Sequence, residues 1–261
     1  MPMFAANLTM LFTELPFMER FAAASKAGFD YVEYLFPYEW HKQELQHQLQ
    51  THHLTQILFN LPPGDWDAGE RGIASLPGRE EEFRAGVDTA IAYAEALKVK
   101  QINCLAGLQQ GDVSVDQQWQ VLLQNVRYAA QKLAEHNIRL LVEPINSRVD
   151  MPGFLLDTLD KAKLLLKQAQ EPNLGIQFDL YHMQIMHGDV CRLLTQNLPF
   201  IQHIQFADNP GRHEPGTGEL NYSNIFHTID ELGYEGWVSA EYRPRSDTLE
   251  SLDWFAPSST G

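Results

Sequence analysis

Short apolar runs alternate along the chain with longer stretches in which apolar residues return every third or fourth position. The runs "MFAANLTM", "YVEYLF", "TQILFNLP", "QINCLAG", "RLLVEPIN", "GIQFDLYH", "QHIQFADN" and "GWVSAEY" have the length and character of strands. The clearest stretch between them is "DQQWQVLLQNVRYAAQKLAEH", in which Trp119, Leu122, Leu123, Val126, Ala130 and Leu133 share one helical face. Eight strands alternating with helices in about 250 residues are the count and length of an α/β protein of the (β/α)8 TIM-barrel class. The rival arrangement, a doubly wound open sheet, usually carries a glycine-rich first turn, and "NLTMLFTELP" has none. No composition shift or Ser/Gly-rich linker divides the chain. A single domain over 1–261 is therefore expected, with 256–261 ("APSSTG") as a frayed tail.

Strand parity then exposes an anomaly. Side chains alternate faces along a strand. Leu140 and Val142 oppose Leu141 and Glu143; Ile176, Phe178 and Leu180 oppose Gln177 and Asp179. Ile204 and Phe206 oppose His203 and Gln205; Val238 and Ala240 oppose Ser239 and Glu241. The apolar set must pack on the outer helices, so the polar set points into the barrel. Glu143, Asp179, Gln205 and Glu241 then ring the C-terminal rim of strands five to eight, where barrel enzymes place their chemistry. Three carboxylates in a low-dielectric interior repel one another unless a cation neutralises them. Two Glu, an Asp and a Gln offer only oxygen, which suits Mg²⁺ or Mn²⁺ better than zinc.

Other polar residues fall near that rim. His182 follows Asp179 into the next loop, where substrate contact is expected. Arg212, in "DNPGRHEPGTGE", is placed to grip an anionic substrate with its two-pronged guanidinium. The long connection "NLPPGDWDAGERGIASLPGRE" reads as a lid over the barrel mouth, with Trp66, Ile73 and Leu76 to pack it and Arg71 as a second cation. Arg243 shares the parity of Glu241 and is expected to point inward. Asn7, Asn60 and Asn103 recur near the ends of strands one, three and four as candidate pocket walls.

Charge and cysteine usage narrow the classes. The 34 acidic residues against 19 basic ones give a formal charge of -15, which repels polyanions and argues against a nucleic-acid partner. Cys104 and Cys191 are far apart and form no CxxC pair, as in a protein of the reducing cytosol. The start "MPMFAANLTMLF" lacks a basic leader, and no run approaches the roughly 20 apolar residues that span a bilayer, so no membrane partner is expected. A cytoplasmic protein is the expectation, and homo-oligomers are compatible with it. No nicotinamide, flavin or phosphate-binding motif is present, so no nucleotide cofactor is expected.

The ensemble "NLPPGDWDAGERGIASLPGREEEF", "INCLAG", "LLVEPIN", "FDLYHMQ", "ADNPGRHEPGTGELNY" and "EYRP" resembles the hydroxypyruvate isomerase family. That family belongs to the sugar isomerase/epimerase barrels related to endonuclease IV, and the resemblance runs from "FAANLTMLF" to "LDWF". It implies interconversion of hydroxypyruvate, a small anionic hydroxy-keto acid, and 2-hydroxy-3-oxopropanoate. Positions matching Glu143 and Glu241 are the family's proton donor and acceptor. In related epimerases the positions matching Glu143, Asp179 and Glu241 bind a divalent metal with a His at the fourth position. This chain has Gln205 there, which weakens transition-metal affinity. Positions matching His182 and Arg212 contact substrate in those epimerases, and the loop before Arg212 is one residue longer here. The chemistry suits the residues: moving a carbonyl between neighbouring carbons needs a base, an acid and stabilisation of an enediolate.

Two rivals share the site, a 2-oxo-tetronate isomerase and a ketose epimerase, because pocket length alone separates them. An endonuclease IV-like phosphodiesterase would need a histidine-rich zinc cluster and a basic groove, and His182 and His203 are too few. A non-catalytic metal-binding or sugar-acid-binding protein would have no use for glutamates on both sides of the site.

Overall fold

The computed structural model describes residues 2–255; the expected tail at 256–261 lies outside the described residues. Eight parallel strands close on themselves in sequence order. They are β1 (Met3–Asn7), β2 (Tyr31–Glu33), β3 (Thr55–Asn60), β4 (Gln101–Cys104), β5 (Arg139–Val142), β6 (Leu174–Asp179), β7 (Ile201–Phe206) and β8 (Trp237–Ala240). Around them run α1 (Arg20–Lys26), α2 (Lys42–Thr51), α3 (Glu80–Leu97), α4 (Val115–Ala134), α5 (Leu159–Ala169), α6 (Leu180–Met186), α7 (Val190–Asn197) and α8 (Tyr222–Glu231). The TIM barrel expected from the alternation is the fold.

The parity argument holds within the strands. Leu140, Val142, Ile176, Phe178, Ile204, Phe206, Val238 and Ala240 are wholly buried in one continuous core with the helices. The opposite set fills the barrel. Ala5, Leu58 and Leu141, closed over by Tyr31 and Trp237, form an apolar plug, and the inward positions beyond it turn polar. Parity fails where the strand stops. β8 ends at Ala240, so Arg243 does not continue its alternation and is exposed rather than inward-facing.

Helix α4 covers the expected face, with Leu122, Leu123, Val126, Ala130 and Leu133 buried. Ser114 caps it, accepting from the Gln117 amide at 3.2 Å. Two of its polar residues are buried for another reason: Asn125 donates to the Ala74 carbonyl at 2.9 Å, and Gln118 to the Ser75 hydroxyl at 3.4 Å. They pin the expected lid. Gly72 to Ser75 are buried against the barrel, and a Cβ on Gly72 would come within 2.3 Å of the Leu105 carbonyl. Only the turn before them projects, carrying Trp66 against Phe36 with ring centroids 5.1 Å apart. No helix follows β8 among the described residues except a single 3-10 turn. Trp254 and Phe255 instead cover the β8–β1 seam, with Trp254 packed edge-on against Phe4 at 5.2 Å and Phe206 at 4.9 Å. No helix of the described residues is long and apolar enough to cross a membrane.

Candidate active site

The polar inward positions form a connected hydrogen-bonded layer near the C-terminal ends of the strands. Glu143, one residue beyond β5, accepts through Oε2 from Asn103 at 3.1 Å and Gln177 at 2.9 Å. Gln177 also donates to Gln205 Oε1 at 2.5 Å, and Gln205 Nε2 donates to Glu33 at 2.6 Å and Glu241 at 3.2 Å. Asn7 bridges the same two carboxylates, at 2.9 Å to Glu33 and 3.0 Å to Glu241. A line of buried amides thus runs between Glu143 and Glu241. Asn60 joins it through Asn103 at 3.2 Å, so the three expected asparagines meet in this layer.

Asp179 ends β6 and at once caps α6, accepting from the Tyr181 amide at 2.8 Å. That cap places His182 in the helix's first turn. His182 Nε2 lies 3.4 Å from Asp179 Oδ2 and 3.7 Å from Glu143 Oε1. Ligand atoms of Glu143, Asp179 and His182 lie within 4.8 Å of one another, close enough to share a metal ion. Gln205, expected among the ligands, turns its oxygen to Gln177 and its nitrogen to two carboxylates. The reverse orientation would face an oxygen with carboxylates.

Arg212 enters from the loop after β7 in a left-handed conformation (φ 59°). Asp208 organises that loop, its carboxylate accepting from the amides of Asn209, Gly216, Gly218 and Leu220. Gly218 is required there, because a Cβ would approach the Asn209 carbonyl to 2.3 Å. The guanidinium lies 2.5 Å from Glu241 Oε2, 3.4 Å from Asp179 Oδ2 and 3.6 Å from Asp150 Oδ1. Its terminal nitrogens are therefore matched to the protein's own carboxylates. Nε is buried without a partner among the described residues. Arg71 stands in the projecting turn, stacked 4.1 Å over Trp66 and donating to the carbonyls of Trp66 and Glu70. Among the described residues it makes no carboxylate pair.

One arginine does not neutralise three carboxylates. Burial pushes Glu143 well above the usual carboxylate range, and Glu241 and Asp179 push it further. Burial raises Asp179 to about 6 and Glu241 to about 8, in both cases against the pull of Arg212. Arg212 stays firmly charged: burial opposes its charge, but Glu241, Asp179 and Asp150 outweigh that. His182 is held neutral, well below its ordinary range, by burial and by Arg212. The site has an excess of negative charge and an unpartnered acceptor, Asn103 Oδ1, beside Glu143. That surroundings fit a proton or a hard cation.

Glu33 and His203 escaped the sequence reading as site residues. Glu33 ends β2, but in the sequence it stands inside the run "YVEYLF" rather than closing it, so the signal that marked Glu143 is missing there. His203 Nε2 lies 2.7 Å from Glu33 Oε2. Asn146 and Asp150 lie in the loop after β5, where parity gives no signal.

Residues 21–258 match the family described as xylose isomerase-like TIM barrel. The chain belongs to that family. This family member is 49% identical over 254 residues to hydroxypyruvate isomerase of Escherichia coli, covering 97% of this chain and 98% of that enzyme. It is 47% identical to 2-oxo-tetronate isomerase of Cupriavidus necator, covering 98% of each. A crystal structure from Brucella melitensis named AP endonuclease, family 2, superposes with a TM-score of 0.96 at 48% identity over 98% of this chain and 99% of that one. An E. coli 3-keto-D-glucoside 4-epimerase, at 19% identity and TM-score 0.80 over 97% of this chain and 98% of that one, shares the fold. Within its family, the protein is an enzyme of the hydroxypyruvate isomerase type.

Proposed function

We propose that the protein interconverts hydroxypyruvate and 2-hydroxy-3-oxopropanoate through an enediolate. The observation that carries this reading is the pair Glu143 and Glu241, two carboxyl groups from β5 and β8 held above the usual range and joined by buried amides. Glu241, whose Oε2 meets Arg212, is the more readily ionised of the two and serves as base. It takes a proton from the hydroxymethyl carbon of hydroxypyruvate, and the electron pair moves toward the ketone oxygen. Glu143, the more firmly protonated, delivers a proton to the former ketone carbon. The hydroxyl proton passes between the adjacent oxygens, which balances the isomerisation, and the roles reverse in the other direction.

Asp179 Oδ2, an oxygen not taken by an amide donor, would hold a hard divalent ion such as Mg²⁺ or Mn²⁺, and Glu143 Oε1 would join it once Glu143 has given up its proton. When bound, that ion supplies Lewis-acid stabilisation of the enediolate oxygens. Gln205 holds Glu241 in place by donation. Arg212 sets the charge of Glu241 and leaves Nε–H for a substrate oxygen. His182 faces the substrate from α6, and Arg71 receives its carboxylate.

A 2-oxo-tetronate substrate is the second reading, favoured by the 47% identity to an enzyme of that name. The endonuclease reading gains less: one histidine stands in the cluster, and a charge of -15 opposes a polyanion. NMR of the protein with Mg²⁺ and hydroxypyruvate, 2-oxo-tetronate or a neutral ketose separates these readings. The highest kcat/KM is expected for hydroxypyruvate. Faster turnover of the tetronate favours the second reading, and faster turnover of the ketose sinks both.

A further inference from the structure

Asn146 is wholly buried in the loop after β5, and its amide can face only one way. Oδ1 accepts from the backbone amides of Val149 at 2.9 Å and Asp150 at 3.0 Å. Nδ2 is thereby turned to Asp150 Oδ2 at 2.6 Å and to His182 Nδ1 at 2.7 Å. An amide nitrogen donates and does not accept, so His182 Nδ1 must carry a lone pair. The single proton of the neutral ring then sits on Nε2. That nitrogen points between Asp179 and Glu143 at 3.4 and 3.7 Å, both longer than a good N–H···O bond.

We propose that Asn146 is a positioning residue that locks His182 as the Nε2–H tautomer, making the ring a hydrogen-bond donor to a substrate oxygen. The substrate half of this inference rests on the isomerase reading; the tautomer does not. A ring that binds a metal through Nε2 needs the opposite arrangement, with Nδ1–H given to an acceptor. Asn146 Oδ1 is already taken by two backbone amides and cannot be that acceptor. Of the three groups that come together, only Glu143 and Asp179 are set to meet a cation. His182 is set to meet an oxygen, where a donor is worth most once negative charge develops.

The test begins without substrate. Long-range ¹H–¹⁵N NMR of histidine-labelled protein, with the His182 signals assigned by their loss in His182→Gln, reads the protonated nitrogen directly. Nε2–H on a neutral ring is expected; Nδ1–H or a doubly protonated ring overturns the proposal. Asn146→Asp keeps an oxygen for the Val149 and Asp150 amides and gives Nδ1 an acceptor. It should invert the tautomer and lower kcat for hydroxypyruvate roughly 10²-fold, the scale of one lost oxyanion donor, with little change in KM. An inverted tautomer with unchanged kcat removes the donor role. Because that variant sets a second carboxylate beside Asp150, a comparison of His182→Gln with His182→Ala provides a second route. Glutamine offers an N–H near the place of Nε2 but no ring lone pair, so it should retain about tenfold more kcat than alanine. Equal losses overturn the proposal. An Nε2–H signal in a protein that leaves hydroxypyruvate unchanged would sink the isomerase reading and leave the tautomer standing.

Discussion

Two groups of carboxylates share the barrel interior and have opposite electrostatics. Glu33 is fully buried, as is Asp179 in the reactive cluster. Burial pushes Glu33 up, yet His203 at 2.7 Å and donors from Gln205 and Asn7 hold it below the usual range. Glu143, Asp179 and Glu241 share one arginine among three, and all are raised. Burial is common to both groups, so it does not separate them. What differs is how completely the charge is answered. An answered carboxylate is a structural tie; one left short of a counter-charge takes up a proton or a cation, which is what proton-transfer chemistry needs.

The largest expected effect tests the reactive side. Glu143→Gln and Glu241→Gln should each lower kcat by about 10²–10⁴-fold, the range of a general acid or base, while the circular dichroism spectrum stays near the parent's. Near-normal turnover in either variant removes its catalytic role.

Glu33 should respond in the opposite way. Glu33→Ala strands His203, Asn7 and Gln205 without their acceptor and should cost several kcal/mol in urea unfolding, about 1–3 kcal/mol for each buried donor left unsatisfied. Glu33→Gln keeps an acceptor oxygen and should cost less. If Glu33→Ala unfolds at the parent's urea midpoint, the pair is not a structural tie and the contrast fails.

How far this contrast was legible in the sequence follows from what sets each residue's position. Glu143, Asp179 and Glu241 end strands or directly follow them, and alternation along an apolar strand shows that they face inward. Asn7, Asn60 and Asn103 were legible for the same reason. Arg243 was misread because β8 ends at Ala240 and its alternation carries no further than the adjoining Glu241. Asn146, Asp150 and the carbonyl-held Arg71 sit in loops, where side-chain direction depends on backbone turns that carry no period. The commitment of Arg212 to Glu241 and Asp179 was also hidden, because it depends on a left-handed residue in a loop folded around Asp208.

The proton balance gives the third test. Asp179 and Glu241 hold protons in the folded chain up to about pH 6 and about pH 8, whereas unfolded carboxyls lose theirs near pH ~4. Between these limits the folded state binds more protons than the unfolded one. Their stabilisation is therefore complete below about pH 4 and is lost as the pH rises toward 8. Glu33, shifted downward, has the opposite sign: its contribution is present above about pH 4 and is lost as the pH falls through its lowered folded value. The Tm of metal-free protein should thus decline from about pH 5 to 8, and Glu241→Gln should flatten part of the decline. Mg²⁺ or Mn²⁺, binding only the folded state, should raise Tm most at the alkaline end. A flat profile with no response to either ion removes the excess charge inferred for the cluster.

The smallest effect extends the contrast to the arginines. Arg212 is answered by three carboxylates. Among the described residues Arg71 is stacked on Trp66 and donates only to carbonyls, which leaves its charge available to an anion. A charge-assisted contact to a carboxylate is worth roughly 1.5–3 kcal/mol, or about ten- to a hundredfold in binding. Arg71→Ala should raise KM for hydroxypyruvate by about that factor, with kcat little changed and a neutral ketose affected much less. Arg212→Ala should instead lower kcat for both kinds of substrate, because it removes the charge that pulls Glu241 toward its ionised form. Steady-state kinetics of the two variants on both substrates separates these patterns. A KM effect confined to hydroxypyruvate in Arg212→Ala, with none in Arg71→Ala, would exchange the two roles. The carboxylate would then have to compete with Glu241 for the same guanidinium.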